Sequence, residues 1–435
     1  MKKIFAVLAF GLMVIGLVGC TKPKSEIEKL IEQAEKMTMD ELVEKAYHES
    51  QGKVLYGLGN SSRGKTAGES FVNMIKEKYP DYTGSINWSQ PKENTIFQML
   101  TSDSESANPQ FSMTLIQDGS QIQSKMIDTK VLFNFVPKAW KEANGTDLEA
   151  NGKPLALQTL SKVFMYNHLD GVEKNNVWDF VKEGERPMFM GLNSEPIGFN
   201  ALLMLTRDDY VKIVKKAFDA LPEADKAYFQ PKVDALKPKA KELGLGTDAE
   251  YSLAWIEAWV GQMNVMTDDG PISNELVKAS AQGQTGLLVY SKLRSIEESE
   301  GVSKNNIKIA AYQEGYQGFG GYAYKHYLQM TKNSPLPWTA MAFIAYMVTE
   351  KEGFNPWGKD IGGYSSNPNI NQDHSKKGYN EEGTEILFPS LNDKGYEWWT
   401  GTGDTQGRLI IEDPVYASKV SFTVGSWIEE LKGFK

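Results

Sequence analysis

The feature that most constrains this chain is a solitary cysteine. Cys20 is the only cysteine in 435 residues, so whatever folds after it can have no internal disulfide and no cysteine-ligated metal site. Cys20 also closes a leader segment. Met1-Lys2-Lys3 is positively charged, Ile4 to Val18 is apolar without a charge, and the polar TKPKSE follows the cysteine. That order is the pattern of an export signal. A membrane-spanning helix needs roughly 20 apolar residues, more than this run offers, so residues 1–19 are expected to be cleaved.

Leu17-Val18-Gly19-Cys20 resembles the lipobox of bacterial lipoproteins. There the cysteine thiol takes a diacylglycerol, the chain is cut before it, and the new amine is often acylated, for instance with palmitate. The resemblance implies Cys20 as the lipidation site and an extracytoplasmic protein anchored to the bacterial cell membrane. Two acyl chains hold a protein stably on a membrane where one binds marginally. The alternative is a cysteine of the leader's apolar region with no further role.

Beyond the leader the chain is far longer than a typical domain of ~100–200 residues, which makes two lobes the default expectation. At 24% charged residues and a net charge of −9, the surface is mildly acidic and argues against a nucleic-acid partner. Ten Trp and nineteen Tyr fill cores or line ligand clefts, and sequence does not divide them between those roles.

Residues 20–50 read as a lipid-anchored tether with short helices, where Ser25/Glu28 and Thr38/Glu41 have capping-box spacing. KVLYGL (53–58), a helix bearing Phe71, Met74 and Ile75 on one face, and GSINW (84–88) suggest a parallel βαβ unit. FSMTLIQ (111–117) adds a strand and KVLFNFV (130–136) a further extended piece. The pattern turns helical from 196 to 260, with charge-rich solvated faces. Extended segments return at 285–291 and 305–312. TAMAFIAYMVTEK (339–351) is a long helix, 354–407 an irregular wrap, and VGSWIEELKG a final helix.

Several stretches, in order, resemble the extracellular solute-binding proteins of ABC importers, the broad family-one group. NGKPLALQTLSKVFMYNHL (151–169) looks like that family's hinge region, with Tyr166-Asn167 in place of its YN pair. VWDFV (177–181) resembles the helix that follows, RPMFMGLNSEPIGFNALLML (186–205) a second-lobe strand and helix, GQTGLLVYSK (283–292) the return crossover, and SPLPWTAMAFIAYMVTEKEG (334–353) the late helix. Gln158 departs from the family, which often has proline there, and the tail after 353 is longer and richer in Trp. The resemblance implies an α/β, two-lobed, type II periplasmic-binding fold with a ligand cleft between the lobes. The division it implies is 51–152 in lobe 1, 153–290 as hinge and lobe 2, and 291–435 as a return to lobe 1 with a C-terminal wrap. It further implies capture of a small solute, delivery to ABC permease transmembrane subunits, no enzymatic activity and no cofactor.

In open α/β sheets, ligands sit beyond the carboxyl ends of strands, which nominates the loops 59–66, 101–106, 117–121, 192–198 and 318–322. GNSSRGKT (59–66) fits the nucleotide-loop pattern G-x-x-x-x-G-K-[ST] without a mismatch, and Asp118, ending MTLIQD, mimics the second acidic residue that nucleotide hydrolysis requires. A tethered extracytoplasmic protein has no ATP pool, so this loop reads as part of a cleft, with Asn60, Ser61 and Ser62 as ligand contacts and Lys65 on the helix surface. A turn in which Ser61 or Ser62 merely caps the helix is the equal alternative. The helix N-terminus there suits an anionic or polyhydroxylated solute. Asn193 and Ser194 are placed to close over the ligand or to cap the next helix, and Tyr290 sits near the crossover or in the core. Among the aromatics of GYQGFGGYAYKHY (315–327), Phe319 and Tyr322 are ligand candidates or alternating core residues. His48, His168, His326 and His374 are dispersed, without metal-site spacing. Asp268 and Asp269 would serve an alternative extracytoplasmic hydrolase with cleft carboxylates, or form a turn in TDDGP.

Overall fold

Three short apolar runs set the first lobe. Val54–Gly59 pairs in parallel with Ser85–Ser89 on one side and Phe111–Ile116 on the other, and the amphipathic helix Arg63–Lys78 makes the crossover between the first two. The computed structural model describes residues 23–91, 95–145, 148–193, 196–301, 303–358, 363–370, 378–379, 385–386, 393–402 and 405–434. In the second lobe Met188–Met190 lies parallel to Asn264–Met266 and to Thr285–Val289. Helices cover these strands, as parallel sheets require.

Two long strands join the halves into one sheet. Ala156–Asn167 and Gly321–Thr331 run antiparallel to each other and are buried at every position. The C-terminal half of the first pairs with Thr285–Val289, while the C-terminal half of the second pairs with Phe111–Ile116. Each strand therefore belongs to both lobes, and each crosses the hinge. Both carry polar residues, several of which find partners inside. Gln158 meets His326 at 3.0 Å, Gln329 donates to Asn134 at 2.7 Å, and Lys162 pairs with Asp269.

Each lobe has its own core. In the first, Leu55, Phe71, Met113 and Leu328 pack against the helix Pro337–Thr349; in the second, Phe164, Trp178, Trp255, Trp259 and Phe319 form an aromatic center. Trp255 and Trp259 stack at 5.2 Å. Trp140, Trp178, Trp255, Trp259, Trp357 and Trp399 are all fully buried, which assigns much of the aromatic content to packing rather than to a cleft.

The N-terminal segment departs from the expected tether. Both capping boxes form, with Ser25 N–H donating to Glu28 at 2.7 Å and Thr38 N–H to Glu41 at 2.7 Å. The helices they open, Glu26–Ala34 and Met39–Ser50, bury Ile27, Ile31, Leu42, Val43 and Ala46 in the first-lobe core. The Glu49 carboxylate then accepts from the backbone N–H groups of Trp338 (3.2 Å) and Thr339 (2.7 Å), satisfying the start of Pro337–Thr349. From residue 25 onward this segment is part of the lobe.

The described part of 291–435 divides between both lobes. Ile307–Ile309 pairs with the second-lobe end of the first crossover strand, and Pro337–Thr349 belongs to the first lobe. Leu409–Ile411 then pairs with Gly321–Ala323, and Val424, Trp427 and Ile428 enter the second-lobe core. Among the described residues no helix is long and apolar enough to cross a membrane. Cys20 lies outside them.

Candidate functional site

Strand ends from both lobes converge on a cleft cavity of about 380 Å³. The first lobe contributes Asn60 after Val54–Gly59, Gln117 and Asp118 after Phe111–Ile116, and Gln90. The second contributes Pro196 and Ile197 at the start of a helix, and Thr267, Asp268 and Asp269 after Asn264–Met266. Lys162 and Tyr324, from the two crossover strands, complete it.

The lining is acidic. Lys162, only 2% exposed, donates to both Asp269 oxygens, at 2.9 and 2.8 Å. A buried lysine is tolerable only with such a partner, since removing one member of a buried pair typically costs about 3–5 kcal/mol. Asp118 accepts from Ser120 Oγ (3.0 Å), Gln121 N–H (3.2 Å) and Asn200 Nδ2 (3.0 Å), the last from the opposite lobe. Asp268 is exposed and caps the helix Asp269–Leu276. The described lining thus carries three carboxylates and one ammonium, which Asp269 already pairs.

Behind this wall lies a second carboxylate center. Glu412 is fully buried and accepts from Tyr327 Oη (2.7 Å), Tyr322 Oη (3.2 Å), Lys325 N–H (3.3 Å) and Asn200 Nδ2 (3.3 Å). Gly119 is needed beside it, because an added Cβ would stand 2.7 Å from Glu412 Cδ. Burial pushes the Glu412 carboxyl up to about 7, the Tyr327 hydrogen bond opposing and the Asp118 charge adding to the rise. Burial, with Glu412 adjacent, likewise holds the Tyr322 and Tyr327 hydroxyls well above the usual phenol range. His326, between Gln117 (2.8 Å) and Gln158, is pulled down to about 3 by burial and by the Arg63 charge.

The Gly59–Thr66 loop is explained by packing. A Cβ at Gly57, Gly59 or Gly64 would stand 2.7, 2.2 or 2.0 Å from the Trp88 ring. These glycines make room for an indole whose Nε1–H donates to the Ser61 carbonyl at 2.9 Å. Lys65 is exposed on the helix. Of the candidate contacts, Asn60 lines the cavity, and its Oδ1 accepts from Gln117 N–H at 3.2 Å. Ser61 accepts weakly from Arg63 N–H at 3.4 Å, and Ser62 stands exposed at the N-cap without a side-chain bond to the helix.

Asp118 lines the cavity, whereas Asn193 is exposed at the edge of a neighboring one. Ser194 lies outside the described residues. The aromatic candidates are packed away from the cleft. Tyr290 is fully buried, 2.6 Å from the Tyr312 hydroxyl and edge-on to Trp399. Phe319 is wedged between Phe164 and Trp255, and Tyr322 points at Glu412. Residues 101–105 belong to the helix Thr95–Glu105, and Gly321 and Tyr322 open the second crossover strand. Sequence reasoning missed Lys162, Gln90, Thr267 and Tyr324. One signal was available, a lysine inside the otherwise buried run ALQTLSKVFMYN. Among the described residues no three His, Cys, Asp or Glu side chains gather to hold a metal, and His374 lies outside them.

Two α/β lobes, two crossover strands and an interlobe cleft at strand ends define a type II periplasmic-binding fold. Solved structures with this fold include a Campylobacter jejuni ferric binding protein, at 14% identity and TM-score 0.56 over 88% of this chain and 100% of that one. A Trichodesmium protein (IdiA, FutA) in complex with iron and citrate matches at 12% and 0.54, over 88% and 100%. A Clostridium perfringens structure described as an ABC transporter matches at 13% and 0.52, over 87% and 99%. No protein-family model and no curated protein matches the chain.

Proposed function

We propose that this chain is the solute-binding component of an ABC importer, held outside the cytoplasmic membrane by a lipid on Cys20, and that its cleft receives a polyhydroxylated solute. One observation carries the reading, the convergence of polar strand ends from both lobes on a single cavity between two crossover strands. A solute touching both lobes only when they close shifts the population toward the closed form by that differential affinity, and a permease then meets the closed form. Binding and release suffice for that role.

The lining selects among ligand classes. Three carboxylates disfavor an anion, and the Trp88-packed loop supplies no phosphate cradle. Amides and carboxylates such as Asn60, Gln90, Asp118 and Asp268 suit vicinal hydroxyls, with Tyr324 and Phe97 as apolar faces. The neighbors' iron calls for several free anionic oxygens. Here Asp118 and Asp269 are engaged by protein donors, and Tyr324 is the one tyrosine among the described residues of the lining.

Calorimetry and thermal shift against neutral sugars, phosphate, spermidine and ferric citrate test this, because a ligand that binds only the native state raises its melting temperature. Sugars should bind, and Asp268→Asn should weaken them about tenfold, or ~1.4 kcal/mol. A response confined to phosphate or ferric citrate would reject the solute class. Incorporation of a palmitate analogue, lost in Cys20→Ala, tests the anchor.

A further inference from the structure

Beside the cleft lies another cavity, about 460 Å³, and Asp118 and Pro196 line both. The chambers therefore adjoin, with Asp118 as the partition. The second is walled by Ser120 and Ser124 of the first lobe, Phe199 and Asn200 of the second, and Phe422 and Phe434 of the C-terminal segment. That segment is a fixed wall rather than a loose tail, since Val424, Trp427 and Ile428 are rooted in the second-lobe core.

Two independent features of this chamber call for an occupant. Asn200 is 0% exposed, and both bonds from its Nδ2 are spent on Asp118 and Glu412. Its Oδ1 has no donor among the described residues. A buried acceptor left without a donor is costly, and a ligand hydroxyl would supply one. Phe422, in contrast, is 85% exposed at the edge of a chamber otherwise rich in serine. An exposed ring beside hydroxyls and amides suits a ligand with one flat apolar face and a polar rim. Phe199 and Phe434 meet edge-on at 6.2 Å deeper in the same wall.

We propose that the second chamber is a subsite for the far end of an elongated polyhydroxylated ligand, an oligosaccharide of two or more units. The first unit occupies the cleft at Asn60, Asp118 and Asp268; the next passes Asp118, donates a hydroxyl to Asn200 Oδ1 and stacks on Phe422. This rests on the reading of the cleft as a solute site. It assigns the C-terminal segment, which is absent from the resemblance seen in the sequence, a role in setting ligand length.

The test is a chain-length series. Calorimetry on the full chain would use glucose, mannose, galactose, xylose and N-acetylglucosamine with their α- and β-linked oligomers of up to four units. Affinity should rise about tenfold or more from one unit to three, the scale of one added stacking and hydrogen-bonding contact. Phe422→Ala, at an exposed position, should keep the melting temperature and the single-unit affinity, and lower the trimer affinity about tenfold. Phe422→Tyr should restore it. Affinity independent of length, or an equal loss for monomer and trimer, overturns the subsite while leaving the cleft reading intact. No binding by any sugar overturns both.

Discussion

At the scale of single residues, Glu412 and His326 are buried groups whose titrations oppose each other. Glu412 is raised from 4.5 to about 7 by burial and the Asp118 charge, against the Tyr327 bond and the Lys325 charge. Between those values the folded chain holds a proton that the unfolded chain has released, so stability falls as pH rises. By linkage the full effect is about 3 kcal/mol in order of magnitude. His326 is lowered from 6.5 to about 3. There the unfolded chain holds the extra proton, and stability falls as pH drops through the window. From about 4.5 to 6.5 the two slopes cancel. Each variant should therefore expose the other group. Relative to the parent, Glu412→Gln should gain stability with rising pH across 4.5–7, and His326→Gln should lose it across 3–6.5. Urea unfolding at pH 4.5, 5.5, 6.5 and 7.5 reads the difference curves, and curves parallel to the parent's would reject both assignments.

At the scale of elements, the Gly59–Thr66 turn and Trp88 form one unit. Gly64→Ala drives a methyl group to 2.0 Å from the indole and should cost about 1–3 kcal/mol, the usual range for overpacking. Lys65→Ala, at an exposed position, should stay within about 0.5 kcal/mol. Denaturant unfolding separates them, and a loss at Lys65 equal to that at Gly64 would show that the turn is not held by the Trp88 packing alone. The nucleotide-like pattern was legible, but its cause was not, because Trp88 arrives from the neighboring strand. The same division runs through the fold. Val54–Gly59, Ser85–Ser89, Phe111–Ile116 and both capping boxes rest on local alternation and spacing, which a sequence displays. Lys162 and Asp269 are 107 positions apart, Asp118 and Asn200 82, Asn200 and Glu412 212. Those pairings arise only when crossover strands and tail come together, so the site was half visible as strand-end loops and its charged partners were not. Burial likewise decided Tyr290 and Phe319, since an aromatic residue carries the same letter in a core and in a cleft.

At the scale of the whole molecule, Glu412 ties the hinge. Tyr322 lies in the second-lobe half of the second crossover strand, Tyr327 in its first-lobe half, and both donate to the same carboxylate, which Asn200 also reaches from a second-lobe helix. Lobe motion must bend the strand between those tyrosines, so the shared acceptor biases which bend is favored. Tyr327→Phe removes a 2.7 Å bond to a carboxylate yet keeps the ring that fills the core. Above about pH 7, where Glu412 is ionised, a hydrogen bond to such a charged group contributes about 1.5–3 kcal/mol, and whatever part of it differs between open and closed forms moves their ratio, by tenfold for each 1.4 kcal/mol. We expect the ligand-free variant to sample a wider range of lobe separations and to bind solute more weakly, with unfolding still a single transition. The lone cysteine makes this measurable. With Cys20→Ser, labels at Lys65→Cys and Val265→Cys, both exposed and one in each lobe, report a single interlobe distance by pulsed electron resonance. A distance distribution and solute affinity identical to those of the labeled parent would show that Glu412 stabilises the fold without biasing its closure.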